Sequence, residues 1–269
     1  MRSTAAAPSE GYERIACVYD AFTAASDYET WTTHVLALAA SYGWRGTDVL
    51  DVACGTGKSF MPLIERGFRV TGCDVSAAML AEAARKAPEV PLIEADMRDL
   101  PELGAFELIV CFDDALNHLL DEEQLASAFA SVARNLRPAG LFLFDLNSLL
   151  AYRTTFAQHS VAEHEGLIFV LRGDSTADAE PGCLATAHVD AFRLGDDGRY
   201  ERTTARLVQR HFAPHRVTAL LSDAGLDCLG VHGVLADGSH VPEPDESRQL
   251  KLMYVTRLAR GGDHDHQDD

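Results

Sequence analysis

The sequence predicts an α/β fold with an open, mostly parallel sheet, and two observations support this prediction. First, residues 47–57, TDVLDVACGTG, contain a short apolar run typical of a buried strand and end in a tight glycine turn, and residues 58–66 then have the apolar spacing of a helix. Second, strands and helices of this kind alternate as far as Asp145. A strand, a glycine loop and a helix in this order hold a nucleotide-like ligand at the carboxyl edge of a parallel sheet, because glycine lets the backbone approach the ligand closely.

The glycine loop lacks the features of two common nucleotide sites. A dinucleotide-binding loop has a third glycine three residues after the second, and here that position, counted from Gly57, is Phe60. Lys58 and Ser59 follow Gly57, but no earlier glycine has the spacing of a triphosphate-binding loop. Asp51, at the head of the loop, would repel a pyrophosphate and suits a cationic ligand.

The segment from Asp51 to Gly57 resembles the first motif of class I S-adenosylmethionine-dependent methyltransferases. The resemblance covers roughly residues 45–147. Four further features of the family follow in order at matching distances: an acidic second-strand end at Asp74, Asp96 after a third strand, a fourth strand at residues 106–112, and a Pro-Gly turn at residues 137–140 before a fifth strand.

This resemblance implies a Rossmann-like, seven-stranded methyltransferase sheet that binds S-adenosyl-L-methionine. In the family, an acidic residue at the second strand end takes the ribose hydroxyls, and an aspartate after the third strand takes the adenine amino group; these are Asp74 and Asp96 here. We also expect Met79 to lie near the adenine face. The cofactor-binding residues expected on these grounds are Tyr19, Tyr28, Trp31, Asp51, Ala53, Gly55, Gly57, Asp74, Val75, Met79, Asp96, Met97 and Phe112.

Two helices are predicted before the first strand. Their aromatic residues Tyr19, Tyr28 and Trp31 resemble the N-terminal lid of methyltransferases that act on small molecules, where such residues cover the methionine end of the cofactor. The alternative is that these side chains pack on the core. On the basis of this resemblance, we expect residues 1–45 to form a helical lid.

Helix signals follow in the predicted cofactor-binding region. Ser76 is expected to cap a helix over residues 77–86, and another helix begins near Asp121 and ends near Asn135. Residues 141–145 are expected to form the fifth strand.

After the fifth strand the α/β alternation stops. Three β-like runs, at residues 167–172, 184–194 and 200–210, predict a small antiparallel sheet inserted after strand five. Such insertions roof the acceptor site in small-molecule members of the family. A helix at residues 214–224 and two strands at residues 226–234 and 250–258 then complete the main sheet. The predicted parts are thus a helical lid (1–45), a cofactor-binding domain (46–147 and 212–260), an inserted β subdomain (148–211) and a disordered tail (261–269).

Composition limits the class of partner. The 269 residues are 47% hydrophobic, which is typical of an ordinary globular protein. The net charge of −18 disfavours a nucleic-acid substrate, because binding to phosphates needs a basic surface. No run of about 18 apolar residues and no secretory signal is present, so we expect a cytoplasmic protein without a membrane partner. The six cysteines have no CxxC spacing and are expected to be free thiols. The sequence leaves open whether the chain forms a homo-oligomer.

Polar residues crowd the loop after the fourth strand, which lies beside the methyl donor in the family. His118, Asp114 and Asn117 are the candidate catalytic residues, and Asp113 lies beside them. The pKa of a histidine side chain lies near neutrality, so His118 could act as a base; alternatively, it makes only structural hydrogen bonds and the aspartates cap a helix. The other histidines show no ligand spacing, and we expect no metal.

The favoured hypothesis is a methyltransferase that acts on an N or O atom of a small molecule, a natural-product intermediate such as an amino sugar, largely by proximity and alignment. A methyltransferase of RNA or protein, and a non-catalytic cofactor-binding protein of the same fold, are the alternatives. A hydride-transferring oxidoreductase fits the fold class but not Phe60.

Overall fold

Residues 8–259 are described in the computed structural model, and within them eight strands form one sheet and four form another. The larger sheet contains β1 (Asp48–Val52), β2 (Arg69–Asp74), β3 (Leu92–Glu94), β4 (Phe106–Cys111), β5 (Leu136–Asn147), β10 (Leu226–Val234), β11 (His240–Val241) and β12 (Lys251–Leu258). The smaller sheet contains β6 (His159–His164), β7 (Leu167–Gly173), β8 (Leu184–Leu194) and β9 (Tyr200–Arg210). The α-helices are α1 (Pro8–Phe22), α2 (Tyr28–Ser41), α3 (Met61–Glu65), α4 (Ala77–Lys86), α5 (Glu122–Asn135), α6 (Leu149–Arg153) and α7 (Pro214–Asp223).

The larger sheet has the strand order β11-β10-β12-β5-β4-β1-β2-β3. Strands β5, β4, β1, β2 and β3 pair with one another in parallel, and β12 pairs antiparallel with both β5 and β10. The carboxyl ends of the parallel strands therefore meet at one edge. The prediction of seven strands missed β11, whose two residues pair with the end of β10 and are too few to show an alternating pattern.

Helices cover both faces of the larger sheet, because successive side chains of a strand point to opposite faces. On one face, α5 and α7 bury Phe129 and Leu221 against Phe142 and Phe144. On the other face, α2, α3 and α4 pack against Leu143 and its neighbours. The core is therefore centred on β5, and its helices leave the carboxyl edge of the sheet free for a site.

Helix α1 lies between the smaller sheet and α4. Ile15 is fully buried and packs in one cluster with Phe169 and Val189 of the smaller sheet and with Met79 of α4. The smaller sheet is thereby held over the carboxyl edge of the larger one through α1.

The predicted insertion is confirmed, and its three predicted runs correspond to β7, β8 and β9. Strand β6 was missed because all six of its residues are exposed and show no alternation. The helix predicted over residues 58–66 is shorter, since the turns of the glycine loop continue to Phe60 and Pro62 starts the helix. The fifth strand is longer than residues 141–145 in both directions.

The predicted caps are present: Met79 N donates to Ser76 Oγ, and Gln124 N donates to Asp121 Oδ1. All six cysteines are free, as predicted. Among the helices of residues 8–259, none is both long and apolar enough to cross a membrane. The tail predicted at residues 261–269 lies outside the described residues.

Candidate active site

A cleft opens at the carboxyl edge of the larger sheet, between the glycine loop, the ends of β2 and β4, and helix α1. It brings together most of the predicted cofactor-binding residues and one predicted catalytic residue. The predicted residues that line it are Tyr19, Tyr28, Ala53, Gly55, Asp74, Val75, Met79, Asp96, Met97, Phe112 and His118.

Asp74 fixes the glycine loop from the end of β2. Its Oδ2 accepts a hydrogen bond of 2.8 Å from Gly55 N, and its Oδ1 accepts one of 2.8 Å from Ser76 N. Gly55 has φ +53°, which glycine adopts without strain. Burial raises the pKa of Asp74, against these backbone hydrogen bonds. Because an ionised carboxylate offers about four acceptor positions, Asp74 can still accept from a ligand in the cleft.

Gly57 and Asp51 lie beneath the loop and do not line the cleft, which differs from the prediction. Gly57 has φ +84°, and a Cβ there would lie 2.5 Å from Cζ of Phe60, so this glycine is required by packing. Asp51 is 1% exposed; its Oδ2 accepts from Ser59 Oγ at 2.6 Å, and its Oδ1 has no hydrogen-bond partner among residues 8–259. Burial raises the pKa of Asp51 to about 7.

Asp96 lies at the far end of the cleft and is engaged by Arg98. Arg98 Nε donates to Asp96 Oδ1 at 2.9 Å, and Arg98 Nη2 donates to Oδ2 at 2.5 Å. This pairing lowers the pKa of Asp96 and keeps it ionised. The sequence did not indicate Arg98, although it follows the Asp96 motif by two residues.

Helix α1 is tied to the glycine loop through Asp20. Thr56 Oγ1 donates to Asp20 Oδ1 at 2.5 Å, and Lys86 Nζ donates to Asp20 Oδ2 at 2.6 Å. Lys58 Nζ donates to the carbonyl oxygen of Thr23 at 2.8 Å. The aromatic residues of α1 are thereby held against the cleft.

Trp31 does not line the cleft, although the sequence predicted that it covers the cofactor. Its ring packs on Phe112, with centroids 4.8 Å apart, and the predicted neighbour Tyr28 does line the cleft. Tyr28 Oη donates to Asp113 Oδ2 at 3.0 Å. For Trp31, the alternative of packing on the core is the one that the structure shows.

The loop after β4 has an unusual backbone. Asp113 and Asp114 have φ values of +60° and +55°, a left-handed conformation that costs free energy for residues other than glycine. Asp145, at the end of β5, offsets this cost: its Oδ1 accepts from Asp113 N at 2.7 Å and its Oδ2 from Asp114 N at 3.0 Å. The two successive backbone N–H groups form a small anion-binding concavity that the Asp145 carboxylate fills.

Lys251, the first residue of β12, joins the three carboxylates of this region. Its Nζ donates to Asp114 Oδ1 at 2.6 Å, to Asp145 Oδ2 at 2.9 Å and to Asp113 Oδ1 at 3.2 Å. Burial opposes the charge of Lys251, but the carboxylates raise its pKa well above the usual value. Burial also opposes ionisation of Asp113, whose pKa Lys251 nevertheless holds below its usual value, whereas burial raises the pKa of Asp145 to about 6.

His118 is 7% exposed and has partners on both ring nitrogens. Its Nδ1 lies 2.9 Å from the carbonyl oxygen of Val208, so Nδ1 carries the proton and donates. Its Nε2 then accepts from Tyr12 Oη at 2.8 Å and lies 3.2 Å from Gln209 Nε2. Burial lowers the pKa of His118, although Asp114 opposes this, so the ring is neutral near pH 7.

Asn117 is fully buried and lies outside the cleft, which corrects its prediction as a catalytic residue. Its Nδ2 donates to the carbonyl oxygen of Arg210 at 2.8 Å, and its Oδ1 accepts from Asn147 N at 2.9 Å. The side chain therefore ties the loop to β5 and β9, a structural role.

A second cavity, of about 520 Å³, lies between α1 and the smaller sheet. Asp114, a predicted catalytic residue, lines this cavity and not the first. Tyr12, Tyr19 and Asp113 line both the cleft and this second cavity. A ligand in one space can therefore meet a ligand in the other beside these three side chains. We call the second space the acceptor cavity.

Several residues of the site were missed from the sequence. Lys251 and Asp145 stand at strand ends, where the only signal was a charged residue beside an apolar run. Tyr12 and Gln209 reach the site from α1 and β9, which are far from the motifs in the sequence. Their positions depend on tertiary packing.

Comparison with known proteins agrees with this geometry. Residues 49–140 match a family described as a methyltransferase domain. The candidate methyltransferase YqeM of Bacillus subtilis (strain 168) is 29% identical over 244 residues, which cover 89% of this chain and 94% of that protein. The dTDP-3-amino-3,6-dideoxy-alpha-D-glucopyranose N,N-dimethyltransferase of Streptomyces fradiae is 31% identical over 146 residues, 53% of this chain and 57% of that one.

A crystal structure of an S-adenosylmethionine-dependent methyltransferase from Clostridium acetobutylicum ATCC 824 has the same fold, with a TM-score of 0.78 and 22% identity, covering 93% of this chain and 99% of that one. The fold is thus the one seen in S-adenosylmethionine-dependent methyltransferases. The methyltransferase-domain match at residues 49–140 and the methyltransferase relatives indicate an S-adenosylmethionine-dependent methyltransferase.

The cleft fits this cofactor. Asp74 keeps acceptor positions for hydroxyl groups, and the buried Met79 offers an apolar surface; Asp96 can accept from an amino group in place of part of its pairing with Arg98. Tyr19 and the Asp113 carboxylate lie at the other end, where aromatic faces and negative charge favour a cation such as a sulfonium.

Proposed function

We propose that the enzyme transfers a methyl group from S-adenosylmethionine to an amine nitrogen of a small molecule bound in the acceptor cavity. The observation that carries this proposal is the position of Asp113 and Asp114, whose carboxylates line that cavity where it meets the cleft. Carboxylates at this junction favour an acceptor that carries an ammonium. The Streptomyces fradiae relative, named as an N,N-dimethyltransferase of an amino sugar, supports an amine acceptor and a natural-product intermediate.

In this proposal, the residues of the cleft bind the cofactor, orient it and shield it from water. When bound there, S-adenosylmethionine supplies a methyl group on a sulfonium, which is already activated for transfer. Asp74 and Asp96 are the groups that would hold its nucleoside, and Tyr19 and Asp113 would lie near its charge. Hydrogen bonds from Thr56 and Lys58 hold α1 against the glycine loop beside the cleft. Alignment of two reactants in this way can supply about 7–11 kcal/mol of the barrier reduction.

The acceptor nitrogen must release one proton for each methyl group that it gains. Tyr12 Oη lines both cavities and donates to Nε2 of the neutral His118, so this pair can receive a proton from the acceptor through the hydroxyl. Asp114, also in the acceptor cavity, can hold the ammonium before the proton leaves. In this proposal, proximity is the main source of rate and His118 aids deprotonation.

Transfer of labelled methyl from S-adenosylmethionine tests the proposal. The panel contains primary amines, alcohols of the same carbon skeleton, a bulk protein and bulk RNA. The proposal expects label on nitrogen of small amines only. Label on an alcohol oxygen, on protein or on RNA would replace it, and cofactor binding without any transfer would favour a non-catalytic binding protein.

A further inference from the structure

The charged side chains that line the acceptor cavity are all acidic. Among the described residues that line it, only Asp113 and Asp114 are charged, and no lysine or arginine is present. The rest of its polar lining consists of hydroxyl and amide side chains, among them Tyr12, Tyr19, Thr154, Gln158, Ser160 and Gln209.

Four cations that contact or neighbour lining residues are engaged by other groups of the protein. Lys251 binds three carboxylates, and Lys58 donates to both the carbonyl oxygen and Oγ1 of Thr23. Arg153, on α6, donates to the carbonyl oxygen of Ala179. Arg172 pairs with the Asp190 carboxylate. A ligand in the cavity would therefore meet two carboxylates and no free ammonium or guanidinium from the described part of the chain.

This inventory disfavours a phosphorylated ligand. Proteins hold phosphate groups with arginine forks, lysines or the N-termini of helices. A pyrophosphate in this cavity would face like charges at Asp113 and Asp114, inside a protein of net charge −18. The nucleotide-linked amino sugar of the Streptomyces fradiae relative carries such a group.

The same inventory favours a cation with hydroxyl groups. Three carboxylates share the single ammonium of Lys251, so the cluster keeps an excess of negative charge. Asp114 receives Lys251 on Oδ1 and Gln209 on Oδ2, and each oxygen keeps one acceptor position. The hydroxyl and amide side chains of the lining can pair with the hydroxyls of a sugar-like ligand.

We propose that the acceptor is a cationic, polyhydroxylated amine without a phosphate group, whose ammonium is bound by Asp113 and Asp114. This inference rests on the proposed function, because it assigns a substrate class to the same cavity. It predicts that the chain differs from its nucleotide-sugar relatives in the charge of the acceptor that it takes.

Calorimetric titration of the enzyme saturated with S-adenosylhomocysteine tests this with three matched probes: 3-amino-3,6-dideoxyglucose, 6-deoxyglucose and the dTDP conjugate of the amino sugar. We expect the free amino sugar to bind about tenfold or more tighter than the other two, as for loss of a hydrogen bond to a charged group. Equal or tighter binding of the dTDP conjugate would overturn the proposal, and so would binding of none of the three.

Two neighbouring variants on β6 sharpen the test. Ser160 lines the cavity, whereas Val161 is the next residue along the strand and is 70% exposed. Ser160→Lys should lower the affinity for the free amino sugar and raise the affinity for the dTDP conjugate, each by about tenfold. Val161→Lys should change neither affinity. Equal effects of both variants would also overturn the proposal. Methyl transfer to oxygen would refute the proposed function without touching this charge preference.

Discussion

Lys251 Nζ donates a hydrogen bond of 2.6 Å to Asp114 Oδ1, and this contact joins the last strand of the sheet to the loop at the junction of the two cavities. The same ammonium contacts Asp145, whose carboxylate holds the left-handed residues Asp113 and Asp114 through their backbone N–H groups. Because Lys251 is the one cation that contacts all three carboxylates among the described residues, the shape of the junction depends on it.

Lys251→Met should destabilise the protein and reduce turnover. Removing the Lys251 ammonium leaves the fully buried Asp145 without its cation beside two partly exposed carboxylates, which costs up to about 3–5 kcal/mol of unfolding free energy. Denaturant unfolding and turnover measure both effects. Lys251→Arg, which keeps the charge, should recover part of the lost stability and part of the lost turnover. Arg137→Met removes a cation that pairs with Glu107 and Asp48 on the exposed side of the sheet, and it should cost about 1 kcal/mol or less. Equal losses in the two Met variants would contradict the role of Lys251.

Asp74→Ala should weaken S-adenosylmethionine binding by about 1.5–3 kcal/mol, as for loss of hydrogen bonds to a charged group. The variant also frees Gly55 N and Ser76 N, which loosens the glycine loop. Calorimetry of the folded variant measures the loss. Asp74→Asn keeps one acceptor oxygen, so its affinity for S-adenosylmethionine should lie between those of wild type and Asp74→Ala. Wild-type affinity in a folded Ala variant would remove Asp74 from the site.

His118→Asn should lower turnover by about 10²–10⁴ if His118 receives the acceptor proton. Because burial lowers the pKa of His118, its ring stays neutral as the pH falls to 6.5, and the wild-type rate should decline only at lower pH. Tyr12→Phe removes the hydroxyl between His118 and the acceptor cavity and should give a loss of similar size. Rates measured across pH separate the outcomes: near-normal turnover in both variants would show that alignment alone suffices.

Asp51→Asn should stabilise the protein without cofactor, and the gain should be larger at pH 8 than at pH 5. The pKa of Asp51 is raised to about 7 from 3.8, so the folded state keeps this proton where the unfolded chain has lost it. The stability from this group is therefore complete below pH 3.8 and lost as the pH rises through 7, by up to about 4 kcal/mol. Asparagine does not titrate and removes this loss.

Unfolding free energies of wild type and Asp51→Asn at both pH values measure the change. Asp48→Asn, on the same strand, is the control: hydrogen bonding to Arg69 lowers the pKa of Asp48, so this variant should show no gain at pH 8. A difference between wild type and Asp51→Asn that is the same at pH 5 and pH 8 would contradict the buried, protonated Asp51.

The sequence predicted the sheet and the glycine loop because both depend on local patterns, such as the apolar run before Gly55 and the cap at Ser76. It predicted the insertion, since β8 and β9 are β-like runs in the sequence, and burial alternates in the second half of β9. It failed for Asn117, whose three partners come from β5, β9 and α6, and for Lys251, whose carboxylates lie more than a hundred residues away. Such contacts leave no local pattern.

The central claim is that methyl transfer takes place where the cleft meets the acceptor cavity. Two neighbours on β8 test it: Ala187 lines the acceptor cavity, whereas His188 does not and points to the opposite face of the strand. Phenylalanine at either position adds similar bulk, and thermal unfolding checks that both variants fold.

The decisive measurement is turnover on a small amine, with S-adenosylmethionine affinity measured in parallel, for Ala187→Phe and His188→Phe. We predict that Ala187→Phe lowers turnover by about 100-fold or more, because a displaced acceptor loses its alignment, and leaves cofactor affinity within about twofold. His188→Phe should leave both unchanged. Full turnover in Ala187→Phe, or equal losses in the two variants, would contradict an acceptor site between α1 and the smaller sheet.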